Sequence, residues 1–154
     1  MELKVESARI ADVPRLVDLL NDLFGIELDF TADESRQQRG LELLIGEAGS
    51  SGSHTVVVVR DADGAAIAMA SAQLVISTSE GALSAWIEDV VVHPDFRRQG
   101  IGRLLLEYLQ RWAKERGATR VQLVADEGNE LAASFYTSLG WETTQLGLRR
   151  RFLT

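Results

Sequence analysis

Apolar positions along the chain follow two periods, and the places where one gives way to the other mark its elements. Glu2 to Ile10 carries a short β-branched and apolar run, which predicts a first strand. Leu16, Leu19, Leu20 and Leu23 then recur at helical spacing. With Asp12 in a capping position and Pro14 in the first turn, a helix is predicted to about Phe24. Gly25 to Phe30 breaks that period. A second helix, starting after Thr31 or Asp33, runs through Leu41, Leu44 and Ile45. Thr55–Val59 is a continuous apolar run of the buried-strand kind. Asp61-Ala62-Asp63-Gly64 turns the chain into a strand over Ala65–Ile76, and a turn over 77–81 leads to a strand over Leu83–Val92.

Three strands in a row therefore meander antiparallel. The helical period returns over Gly100–Gly117, with Ile101, Leu104, Leu105, Tyr108, Leu109 and Trp112 on one face. A strand over Arg120–Ala125 and a helix over Asn129–Leu139 follow, and Trp141–Leu153 reads as a last hairpin or pair of edge strands. Strand, helix and strand from 83 to 125 imply a right-handed parallel crossover. The expected architecture is one α/β domain over residues 1–154, its mixed sheet mostly antiparallel and flanked by helices.

Composition narrows the chemistry. The chain has 154 residues, 45% apolar and 25% charged, with no cysteine. That excludes a disulfide framework, a thiolate metal site and a cysteine nucleophile. The first residues show no secretory signal, and no window nears the ~20 apolar residues of a membrane span, so a cytoplasmic protein is expected. The net charge of −7 is unevenly spread: residues 1–96 hold 6 basic and 17 acidic side chains, residues 97–154 hold 10 and 6. An acidic balance argues against nucleic acid as a partner. The split suits a cationic ligand in the first part and an anionic one in the second, or is a chance scatter of solvated charge.

The segment Asp89–Gly102 joins a strand to a helix through a loop holding Arg97, Arg98, Gln99 and Gly100, with Arg103 just beyond. Glycines at 100 and 102 let a ligand approach the backbone. The free amides of the helix's first turn, its dipole and the three arginines suit a pyrophosphate. The loop lacks the Lys-Ser/Thr of a P-loop and the third glycine of a dinucleotide fingerprint. Further on, Asn129-x-x-Ala132-x-x-Phe135-Tyr136-x-x-x-Gly140-Trp141 follows a strand.

The two segments together, with the order of elements around them, resemble the GNAT superfamily, the Gcn5-related N-acetyltransferases that use acetyl-coenzyme A. Trp141 stands where that family usually has Phe. The resemblance implies that two parallel strands, near 88–92 and 120–125, splay apart to admit the cofactor. Backbone groups of the Val90–Val91–Val92 stretch would hold the pantetheine arm, and Arg97 through Arg103, Ile101 and Gly102 included, the pyrophosphate. Asn129 would touch the pantetheine or adenosine side, and Tyr136 would protonate the leaving thiolate.

Amine acetylation needs a base, because an alkylamine near neutral pH is mostly ammonium. Glu88 and Asp89 are adjacent carboxylates on the strand leading into the loop. Strand alternation predicts that only one faces the site; Glu88 is the first choice and Asp89 the second. The string Ile87–Val92 is also similar to that of glucosamine-6-phosphate N-acetyltransferases.

Phe24, Asp29, Trp86 and Asp89 are the candidate acceptor contacts. Each site residue also has a plainer reading: Glu88 as a surface strand residue, Tyr136 and the tryptophans as packing, Asn129 as a helix cap. His54 and His93 read as structural, Arg149–Arg151 as a solvated edge, and no metal site is indicated. The expected function is acetyl transfer from acetyl-CoA to a small-molecule primary amine. Alternatives are a protein or peptide acceptor, or a non-catalytic acyl-CoA-binding module. A homodimer is a partner this reading allows, and a membrane is not.

Overall fold

The computed structural model describes residues 2–26, 33–126 and 128–153, the side chains of 24–26 and 47–50 excepted. By density of contacts the chain divides into two compact units, Met1–Leu123 and Val124–Thr154.

The first unit is a five-stranded sheet with helices on it. Strand β1 (Val5–Ser7) leads through a single 3₁₀ turn (Ile10–Asp12) into α1 (Val13–Ile26), and α2 (Glu34–Ser50) follows. Strands β2 (His54–Arg60), β3 (Ala66–Ser77) and β4 (Ala82–Val92) come next, then α3 (Ile101–Glu115) and β5 (Ala118–Leu123). The strand order is β1-β2-β3-β4-β5, antiparallel except for the parallel β4–β5 pair. That is the expected mixed sheet with its crossover through α3.

Alternation explains how both faces are covered. Val56, Val58, Met69 and Val91 share a cluster with Val13, Leu16, Val17 and Leu20 of α1 and Leu41 of α2. Val57, Val59, Ala68 and Ala70 sit at the alternate positions and are fully buried too, so α3 covers the opposite face. Alanines on β3 let that helix come close. Helix α3 buries Ile101, Leu105, Leu106, Leu109, Trp112 and Ala113. Leu104 and Tyr108, expected on that face, are half-buried at its margins.

Asp12 was expected to cap α1. Its carboxylate instead takes the backbone N–H of Arg9 at 2.7 Å and the Arg60 guanidinium at 2.6 and 2.8 Å. Glu6 binds the same guanidinium, so the end of β2 clamps the N-terminal segment. The hydrogen bonds from Arg60 hold the Asp12 carboxyl below its ordinary range, against the partial burial that pushes it up. Asp12→Asn is expected to cost about 1–3 kcal/mol at neutral pH, read from the urea midpoint. Because the folded-state value is depressed, this stabilisation is complete above about pH 4 and is lost as pH falls through the folded value. The two unfolding curves should therefore converge in acid; a constant gap would contradict the assignment.

The first strand is shorter than its apolar run, because pairing with β2 stops at Ser7 and the 3₁₀ turn follows. The second unit contains α4 (Glu130–Ser138). Residues 141–153, expected to form strands, carry none, and Leu146, Leu148, Phe152 and Leu153 are exposed. A strand exists only through its ladder, and a unit this small, with one helix, offers neither a ladder nor a core.

Candidate active site

Strand β4 carries the site because it outruns its parallel partner. Pairing with β5 ends at Ile87–Leu123, while β4 continues beside β3 to Val92. In that stretch two residues, Asp89 and Val90, lie opposite one residue of β3, Ala70. Asp89, within this bulge, has a positive φ of 57°. Alternation is thus broken between Glu88 and Val91. Strand alternation would point the paired carboxylates to opposite faces; across the bulge both Glu88 and Asp89 line one cleft.

The bulge also sets the backbone's phase. His93 N–H donates to the Ile67 carbonyl across β3 at 2.8 Å. Counting back, Val92 and Val90 turn their backbone groups away from β3, toward the edge where β5 has ended. Val91 faces β3 and buries its side chain in the core, so of the three valines it is the one that cannot offer an edge group. The Val92 carbonyl accepts from Arg97 Nε at 3.0 Å, which ties the loop to the strand end.

After β4 a short 3₁₀ turn (Pro94–Phe96), capped by the His93 ring accepting from Asp95 N–H at 3.1 Å, leads to Arg98 at φ 62° and Gly100 at φ 79°. Left-handed backbone costs a non-glycine residue about 1–2 kcal/mol, so Asp89 and Arg98 are strained where chemistry is expected. Gly100 precedes α3 and supplies no side-chain cap, which leaves the amides of the first turn open. A Cβ on Gly100 would meet nothing within 4 Å, so the glycine is required by its backbone angle and faces open space. Arg97, Arg98, Gln99 and Arg103 are exposed around it, and Arg103 also pairs with Glu107 at 2.8 Å. The Ile101 side chain is in the core, so only its amide can meet a ligand. Open amides, a glycine facing space and exposed guanidinium groups fit a pyrophosphate, and a strand edge with outward N–H groups fits an amide-bearing arm.

The cleft on the α1–α2 side of the sheet has a volume of about 490 Å³. Leu20, Leu41 and Leu44 give it apolar walls, and Asp33, Arg36, Gln37, His54, Gln73, Glu88 and Asp89 give it polar ones. Asp33 begins α2, accepting from the Ser35 hydroxyl at 2.9 Å and the Arg36 N–H at 3.2 Å, which lowers its pKa. Glu88 has no ion-pair partner among the described residues.

Not every expected residue is in this cleft. Trp86 lies across from Gln73, which lines it, but is not itself a lining residue. Asp29 and the Phe24 side chain are outside the described residues. Gln37 and His54 line the cleft and were missed as contacts. For Gln37 a signal existed: it sits one turn before Leu41 on the buried stripe of α2, a polar residue at an apolar position. In the second unit Asn129 caps α4, its side-chain oxygen accepting from Ala132 N–H at 3.0 Å. Tyr136 is half-buried there and packs edge-on against Phe135 and Trp141, with ring centres 5.2 and 5.8 Å away. Among the described residues no group of three or more His, Asp or Glu side chains is placed to hold a metal, and no helix is long and apolar enough to cross a membrane.

A mixed α/β sheet whose parallel pair parts beside a glycine-led helix defines the class of fold. The chain belongs to the acetyltransferase (GNAT) family, whose model matches residues 14–141. It is 39% identical over 75 residues to an uncharacterized N-acetyltransferase (ycf52-like) of Prochlorococcus marinus, which covers 49% of this chain and 40% of that one. To an aminoglycoside N(6')-acetyltransferase type 1 of Salmonella typhimurium it is 25% identical over 103 residues, covering 65% and 71%. The match spans between 28% and 40% of the length of the first five curated relatives. The fold is shared with glucosamine-6-phosphate N-acetyltransferase of Arabidopsis thaliana, at a TM-score of 0.75, 22% identity and 99% coverage of both chains.

Proposed function

We propose that the protein transfers an acetyl group from acetyl-CoA directly to a primary amine of a small molecule. The observation that carries this reading is the pair of carboxylates, Glu88 and Asp89, at one cleft on the strand whose far end feeds the open amides of α3. Bound acetyl-CoA supplies a thioester whose acetyl carbon accepts a nucleophile. The amides of α3's first turn, with Arg97 and Arg98, hold its pyrophosphate. The Val92 N–H and the Val90 carbonyl would hold its arm, leaving the Val90 N–H for the negative charge that builds on the acetyl oxygen. Glu88 takes the ammonium proton, directly or through a water, so that the nitrogen lone pair is free. As the thioester C–S bond gives way to the C–N bond, Tyr136 would give its phenolic proton to the sulfur. The second proton that the nitrogen must lose would return to the Tyr136 oxygen, leaving a neutral amide and a free thiol. With no cysteine in the chain, no acyl-cysteine lies on the path.

The cleft's acidity supports an amine acceptor, since carboxylates attract the ammonium and assist its deprotonation. The aminoglycoside relative's name supports a small-molecule amine. Tyr136→Phe is expected to lower kcat by about 10- to 100-fold with the acceptor KM little changed, measured by free-thiol release. Full kcat in that variant would remove Tyr136 as the acid.

A further inference from the structure

Gln37 is buried in α2 at 8% exposure, and neither end of its side-chain amide has a hydrogen-bond partner among the described residues. Nearly all buried polar groups in folded proteins are paired, and an unpaired one is destabilising. Leucine fills the equivalent place one turn on, at Leu41, without that penalty. Gln37 is a wall residue of the cleft that holds Glu88 and Asp89, with its amide buried behind that wall, beside His54, whose Nδ1 is likewise buried and unpartnered.

The charges around it narrow what can pair with it. Among the described residues Asp33, Glu88 and Asp89 line the cleft with a single cation, Arg36, whose Nε lies 3.6 Å from Asp33. A phosphate or carboxylate brought there meets net repulsion. An alkyl group leaves both ends of the amide unpaired and dry. A hydroxyl or a neutral amide satisfies both, because each donates and accepts.

We propose that Gln37 selects the acceptor: an amine bearing a neutral hydroxyl or amide group, in preference to alkyl amines and to amines carrying an anion. The inference rests on the reading of this cleft as the acceptor site. Gln37 acts on recognition and takes no part in the chemistry.

The test measures ligand-induced thermal stabilisation, which needs no turnover, alongside thiol release from acetyl-CoA. The probes are glucosamine, glucosamine 6-phosphate, cyclohexylamine and glycinamide, on the wild type and on Gln37→Leu. The wild type should require at least about tenfold more cyclohexylamine or sugar phosphate than glucosamine or glycinamide for the same rise in Tm. The better of the last two distinguishes a hydroxyl from an amide source. Gln37→Leu should raise the Tm of the free protein and bring glucosamine and cyclohexylamine within about twofold of each other. Its glucosamine KM should rise while kcat stays within about twofold. Gln37→Met gives the same comparison if the branched side chain is not accommodated. Equal protection of the wild type by glucosamine and cyclohexylamine, or a preference that survives both substitutions, would overturn the proposal. Preference lost with Gln37 but no acetyl transfer to any amine would support the selection and overturn the acetyltransferase reading.

Discussion

Glu88→Gln is expected to lower kcat/KM for amine acetylation by about 10²- to 10⁴-fold, the usual worth of a general base. The substitution keeps size and shape at an exposed strand position, so Tm should not move. What it removes is the proton acceptor. In the wild type the rate depends both on this proton acceptor and on the fraction of the acceptor present as free amine. The variant should keep only the second dependence, which follows the acceptor's own pKa. Asp89 lines the same cleft, so a residual rate is expected in Glu88→Gln and its loss in the double Asn/Gln variant. A pH–rate profile unchanged by Glu88→Gln would remove this residue as the base.

Gly100→Glu is expected to weaken acetyl-CoA binding by about 100-fold or more, read by titration calorimetry. Two effects combine. The backbone at Gly100 has φ 79°, where a side chain adds about 1–2 kcal/mol of strain. The larger effect is electrostatic: the position faces open space, so a carboxylate there sits where the anion is held, and like-charge juxtaposition costs several kcal/mol. Gly100→Ala separates the two, since it carries the strain without the charge. It should lower Tm while keeping most of the affinity. Equal binding by Gly100→Glu and wild type would move the pyrophosphate elsewhere.

What the sequence conveyed of this molecule follows from how local each determinant is. Periodicity marked α1, α3 and β2 to β4, because a half-buried helix or strand writes its buried face into every turn. The loop proposed to hold the pyrophosphate stands out for the same reason: glycines, arginines and a helix start lie within seven residues, from Arg97 to Arg103. Asp12 was misplaced because its partner, Arg60, lies 48 residues away and outcompetes the local cap. The Asp89 bulge is invisible to alternation, since it arises from register against β3, and it is what brings both carboxylates to the cleft. Gln37 was legible only as a polar residue one turn before Leu41 on the buried stripe of α2, and its unpaired amide appears only in the folded chain. At the C-terminus, alternation suggested strands, but a pattern is not a partner.

In the proposed reaction an amine, and not water, consumes the acetyl thioester. Thiol release from acetyl-CoA, followed with and without the amine panel and with the acylated product identified by mass, tests it most directly. Release is expected only when an amine is present, with one acetyl amide formed per thiol. Tight acetyl-CoA binding with no amine-dependent release would contradict it, and would make the protein an acyl-CoA-binding module built on an acetyltransferase fold.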